Sequence, residues 1–92
     1  MEKHAVRKHY YFSGRVQGVG FRYKAMYLAR SMDLTGWVKN LYDGRVEMEV
    51  QGEAREISYF LSKLQEDRFI TISDIEEKDA EVVSERSFKV TG

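Results

Sequence analysis

The chemistry-bearing stretch of this chain is Gly14-Arg15-Val16-Gln17-Gly18-Val19-Gly20-Phe21-Arg22. Three glycines in seven residues allow sharp turns and positive φ. Before the stretch lies an apolar run, His9-Tyr10-Tyr11-Phe12, that reads as a strand; after it Phe21 to Met32 reads as an amphipathic helix. A glycine-rich turn between a strand and a helix can aim several N–H groups at one point. The helix N-terminus adds its partial positive charge there, so the geometry suits an anion. Arg22 falls in the first helical turn, where the dipole disfavours a cation. A bound oxyanion would reward both the dipole and the guanidinium; a solvent-facing Arg22 is the open alternative on local physics alone. The second such residue is Asn40, at the end of a candidate strand. Asparagine is common where a strand enters a turn, so the type alone does not assign it a role.

Two familiar phosphate-loop patterns do not fit. The P-loop needs Lys-Ser/Thr after its last glycine, and Val19 follows Gly18. The dinucleotide fingerprint needs a third glycine where Phe21, Arg22 and Tyr23 stand.

The elements that must position these residues are legible from periodicity. A first strand spans 8–14, with Tyr10 and Phe12 on one face and His9, Tyr11 and Ser13 on the other. The helix from Gly20 to Met32 carries an apolar stripe of Phe21, Ala25, Leu28, Ala29 and Met32. Thr35 to Asn40 reads as a second strand, Leu41-Tyr42-Asp43-Gly44 as a turn, and Arg45 to Gln51 as an alternating third strand. A second helix covers 54–65, with Ala54, Ile57, Leu61 and Leu64 in line and Phe60 flanking. Ile70 to Glu77 reads as a fourth strand whose phase slips between Ile72 and Ile75, which predicts a bulge or an edge. Residues 78–85 read as a solvated hairpin connection, and Ser87 to Thr91 as a closing strand with Phe88 and Val90 inward. Met1 to Arg7 reads as a loose terminus, and His4 and His9 as surface residues.

The order is βαββαβ plus a final strand. It predicts one α+β, ferredoxin-like domain over 1–92: an antiparallel-rich sheet of four to five strands, two helices on one face and a wet opposite face. A right-handed crossover makes the first two strands parallel, with a third between them. The helix start and the end of the second strand then share one edge of the sheet, which brings Arg22 towards Asn40.

Composition bounds the rest. The 92 residues fit one small domain, and 42% hydrophobic with 33% charged residues describes a globular chain. There is no cysteine, so disulfides, thiolate chemistry and cysteine zinc sites are excluded; a reducing, cytoplasmic setting is expected. No apolar run approaches the ~20 residues of a membrane span, and no leader pattern opens the chain. Net charge is zero, but residues 1–46 hold nine basic against three acidic residues, a balance of +6, and 47–92 hold six against twelve, −6. The basic half contains the glycine loop, consistent with an anion site, while charge pairing between the halves is an open alternative.

With these residues assembled, the chain resembles the acylphosphatase family. Gly14 to Arg22 meets that family's Gly-x-Val-Gln-Gly-Val-x-Phe-Arg pattern in full. Gly36-Trp37-Val38-Lys39-Asn40 and Asp43-Gly44-Arg45-Val46 meet its second block, and Gln51-Gly52 and Phe88 also match. The resemblance implies hydrolysis of an acyl phosphate to a carboxylate and inorganic phosphate, with no metal or cofactor. It assigns phosphate binding to Arg22 and the amides of Gln17, Gly18, Val19, Gly20 and Phe21, and water positioning to Asn40. It implies small-molecule partners only, with no nucleic acid or membrane, and a monomer. Two departures are visible: Asp33 stands where members often have glycine, and Glu66-Asp67-Arg68-Phe69 where they often have Gly-Pro. An anion-binding relative without catalysis is one rival reading. An RNA-binding domain of the same element order is another, opposed by Glu47 and Glu49 where base-stacking aromatics are wanted.

Overall fold

Residues 4–92 are described in a computed structural model of the chain. The elements are β1 (Ala5–Arg15), α1 (Phe21–Ser31), β2 (Thr35–Asn40), β3 (Val46–Glu53), α2 (Ala54–Gln65), β4 (Thr71–Ala80) and β5 (Phe88–Val90). The five strands form one sheet in the order β4-β1-β3-β2-β5. β3 pairs antiparallel with both β1 and β2, so β1 and β2 run parallel on either side of it. β4 joins β1 antiparallel at one edge, and β5 joins β2 parallel at the other. This is the α+β ferredoxin-like arrangement expected from the element order, in its five-strand form.

Strand alternation and helix stripes meet in one core. Tyr10 and Phe12 of β1, Val38 of β2, Val46, Met48 and Val50 of β3 and Phe88 of β5 are buried with Phe21, Ala25 and Ala29 of α1 and Ile57, Phe60 and Leu64 of α2. Both helices therefore cover the same face. In α2 the buried line is Ile57, Phe60 and Leu64, while Ala54 is exposed. Phe60 is the centre of that stripe, not its flank, because an aromatic ring reaches Phe88 across the core, at 6.2 Å between centroids.

Helix α1 ends in a Schellman motif. The Leu34 and Asp33 N–H groups donate to Ala29 and Arg30 carbonyls at 2.9 and 3.3 Å, with Asp33 left-handed at φ 56°. After α2 the Asp67 carboxylate accepts from the Phe69 N–H at 2.8 Å, shaping the turn that lacks Gly-Pro. The expected bulge is real: the β1–β4 register shifts at Ser13/Gly14, leaving Ser73 unpaired. Gly14 sits there at φ +123°, and a Cβ on it would lie 2.2 Å from the Thr71 carbonyl oxygen. Only glycine fits that crossing.

Residues 78–85 are no hairpin connection: 78–80 complete β4, and because β4 and β5 lie on opposite edges the following chain crosses the sheet against the side chains of Arg7 and Gln51. The Gln51 carboxamide holds this crossing by pairing with the Val83 backbone in both directions, at 2.8 and 3.0 Å. Ala5 to Arg7 belong to β1, and Arg7 is 4% exposed; its guanidinium binds Glu49, Gln51 and Glu85, which supply the acceptors a buried cation needs. Met1 to Lys3 lie outside the described residues. His9 is not a free surface residue: it is only 19% exposed between Glu47 and Glu49, beside the Tyr11 and Trp37 rings. Its Nε2 lies 2.8 Å from a Glu47 oxygen without hydrogen-bond alignment. His4 is exposed, as expected.

Candidate active site

The loop between β1 and α1 is pinned at its start by Val16, which is buried in the core. Beyond it Gly18 and Gly20 adopt φ 72° and 80°, and no atom from elsewhere in the chain lies within 4 Å of where their Cβ would be. Here glycine serves conformation, and the open space lets a ligand approach the backbone. Among the described residues, the amides of Gln17, Gly18, Val19 and Gly20 have no protein acceptor. The N-cap is Gly20, with no side-chain cap and no acidic residue in the first turn. The first amide to close the helical ladder is that of Lys24, on the Gly20 carbonyl at 3.0 Å. The Phe21 and Arg22 amides precede it and stay unbonded within the helix. Several N–H dipoles at one helix end thus meet no internal acceptor, the arrangement that favours an anion.

Arg22 and Asn40 share one acceptor. The Arg22 guanidinium donates to the Gly92 carbonyl oxygen, and the Asn40 N–H donates to that same oxygen at 3.3 Å. Two residues 18 positions apart in sequence are thereby brought to one acceptor at the sheet end. The Asn40 side-chain oxygen is buried, and no hydrogen-bond donor among the described residues reaches it. A buried carbonyl oxygen without a donor is costly, and such groups concentrate where a ligand or a water is to be held.

Neighbouring charges are mostly committed elsewhere. Lys24 pairs with Asp67 at 2.7 Å, and that contact, with the Phe69 N–H, holds the Asp67 carboxyl below the usual range. Arg45 folds back on Asp43 at 2.8 Å; its backbone N–H and guanidinium depress the Asp43 carboxyl. The Arg45 guanidinium also covers the Tyr11 ring at 4.8 Å, and the Arg22 guanidinium lies 5.8 Å from the Tyr23 ring.

One side chain behaves in a way residue type did not announce. Gln17 donates from Nε2 to the carbonyls of Leu41 at 2.7 Å and Arg45 at 2.9 Å. Its side chain is spent on the β2–β3 turn; its backbone amide remains with the loop. No local sequence signal marks Gly92 either, because its contact depends on β5 pairing with β2.

Comparison with known proteins places this geometry. The family model for Acylphosphatase matches residues 8–90. The acylphosphatase of Clostridium acetobutylicum is 44% identical over 79 residues, covering 84% of this chain and 87% of its relative. That of Archaeoglobus fulgidus is 43% identical over 81 residues, covering 87% and 91%. The crystal structure of acylphosphatase from Bacillus subtilis superimposes with a TM-score of 0.86 at 31% identity, covering 95% of this chain and 99% of that one. The match runs through the glycine loop, both helices and all five strands, and on it the chain belongs to the acylphosphatase family of enzymes, which hydrolyse acyl phosphates.

Proposed function

We propose that the amides of Gln17, Gly18, Val19, Gly20 and Phe21, with the Arg22 amide and guanidinium, bind the phosphoryl group, and that Asn40 holds the attacking water. The observation that carries this reading is the convergence of the Arg22 guanidinium and the Asn40 backbone N–H on one oxygen atom, with Arg22 in the helix turn that directly follows loop amides having no internal acceptor.

The chemistry needs few parts. A mixed anhydride already has a good carboxylate leaving group, so protonating it is not essential. Phosphoryl transfer proceeds through a loose transition state in most analyses, so the protein chiefly positions groups and stabilises charge on the equatorial oxygens. Arg22 supplies a forked pair of donors, and the helix end supplies fixed N–H dipoles. The Asn40 side-chain oxygen can accept a hydrogen bond from water, which turns a water lone pair towards phosphorus. The substrate phosphate accepts the water's proton. His9 takes no part: it sits in mid-strand between Glu47 and Glu49, away from the loop.

Metal independence belongs to this proposal, because Arg22 and the amides neutralise the oxygens themselves. So does the monomeric state, which the acidic edge strand favours: Asp74, Glu76, Glu77 and Asp79 on β4 oppose pairing with a second copy. No nucleic-acid partner is proposed, since Arg45 and Lys39 lie against the Tyr11 and Trp37 rings of the open face, and Glu47 and Glu49 line it. The cysteine-free sequence favours a cytoplasmic setting. No helix of the described residues is long and apolar enough to cross a membrane.

The test is release of phosphate from a small acyl phosphate in excess chelator. Turnover well above the uncatalysed rate, unchanged by added Mg²⁺ or Zn²⁺, is expected. Phosphate binding without turnover would favour the non-catalytic reading, and turnover that chelation abolishes would refute metal independence.

A further inference from the structure

The sheet cannot by itself fix the distance from the phosphate cradle to Asn40. The last ladder pairs near the site join Phe12 to Val46 and Val46 to Asn40. Beyond them β1 runs on to Arg15 paired only with β4, on the side away from Asn40, before residues 16–20 form the loop; after Asn40, residues 41–45 form the turn. The contact through Gly92 ties Asn40 to Arg22 only by a long side chain, the one proposed to engage substrate.

Gln17 is the other tie. Val16 anchors the residue before it in the core. Both protons of the Gln17 carboxamide are used, one on the Leu41 carbonyl and one on the Arg45 carbonyl. Those carbonyls flank the turn: the Leu41 N–H donates to Arg45 O at 2.8 Å, and the Gly44 N–H lies 3.4 Å from Leu41 O. Leu41 is the residue directly after Asn40. One carboxamide therefore spans from the phosphate loop to both sides of the hairpin that carries Asn40.

Resting on the site reading above, we propose that the Gln17 side chain is a positioning residue that sets the separation between the phosphate cradle and Asn40. It touches no reacting atom and acts through Asn40. Positioning errors near 1 Å cost about 10²-fold in rate. Gln17→Ala is therefore expected to lower kcat ~10–100-fold, while KM and inhibition by inorganic phosphate stay within about threefold, because the cradle itself is untouched.

The decisive form is a double-mutant cycle with Asn40→Ala. If Gln17 acts through Asn40, adding Gln17→Ala to Asn40→Ala should cost less than about threefold. An equal fold-loss in both backgrounds, or a large loss of phosphate affinity in Gln17→Ala, overturns the proposal and leaves the roles of Arg22 and Asn40 standing. Full kcat in Asn40→Ala alone overturns the site reading, and this proposal with it. Should Gln17→Ala fail to fold, Gln17→Glu keeps the shape and replaces the donors by a carboxylate facing two carbonyls. Its activity relative to the parent chain should rise as pH falls, with the rise centred above the ordinary glutamate value of about 4.3, because two facing carbonyls favour the neutral carboxyl, which regains one donor. A ratio flat from about pH 8 down to about pH 4 would equally overturn the proposal.

Discussion

Replacing Asn40 by alanine should separate activity from stability. The Asn40 backbone N–H bonds Gly92 O at 3.3 Å, and its strand pairing with Val46 is also main-chain, so alanine keeps both. What alanine removes is a buried side-chain oxygen that no hydrogen-bond donor among the described residues satisfies. That oxygen is the acceptor for the water it is proposed to hold, so its removal changes stability little beyond the lost packing of a small, half-buried amide. The variant should therefore match the parent's stability to within about 1 kcal/mol. For a domain of this size each kcal/mol moves the melting midpoint by about 4–8 °C. Losing the group that places the water should cost ~2.7–4 kcal/mol in the transition state, or 10²–10³ in kcat. Inhibition by phosphate should hardly change, because Arg22 and the loop amides are intact. Steady-state hydrolysis, phosphate competition and calorimetry on the same preparation decide it. Retained kcat, or a midpoint lowered by more than about 8 °C, would show Asn40 to be a structural residue and not the group that places the water.

Arg22→Ala should lose both turnover and competitive inhibition by phosphate; surviving inhibition would move the cradle elsewhere. Gly14→Ala should destabilise the chain by ~2 kcal/mol or more, since its Cβ would meet backbone atoms of Thr71 and Ser73 at φ +123°; a neutral result in chemical denaturation would mean the bulge relaxes. Asp33→Gly should add a few tenths to ~1 kcal/mol by relieving a left-handed residue, read as a raised melting midpoint. Burial alone would raise the Glu49 carboxyl, but hydrogen bonds from His9 and Arg7 outweigh it and hold it below its ordinary value. A depressed folded-state value means stability that is present at neutral pH and lost as pH drops below about 4. The midpoint should fall on acidification, and Glu49→Gln should start lower and fall less steeply; parallel curves would contradict this.

What the sequence made legible was local or periodic. The glycine loop, Arg22 in the first turn and Asn40 at a strand end are written in adjacent residue types, and their meeting follows from element order and crossover hand. The phase slip between Ile72 and Ile75 showed the bulge because alternation has a strict period. Partners distant in sequence were not legible. Arg7 reads as part of a tail, since Glu49, Gln51 and Glu85, which bury it, lie more than 40 positions away. The charged run after β4 has no period that says which edge it feeds, so its passage to β5 was missed. His9 looked exposed because the acids and rings that enclose it come mostly from β2 and β3. Gln17 stood inside a motif, but the target of its side chain is set by a hairpin 24 residues on.

An amide-resolved NMR titration with inorganic phosphate locates the bound anion directly. Saturable shifts should appear together at the amides of Gln17 to Arg22 and at the Arg22 Nε–H, and vanish in Arg22→Ala. Shifts confined to another surface, such as the cleft lined by Trp37, Arg86 and Lys89, would contradict the account.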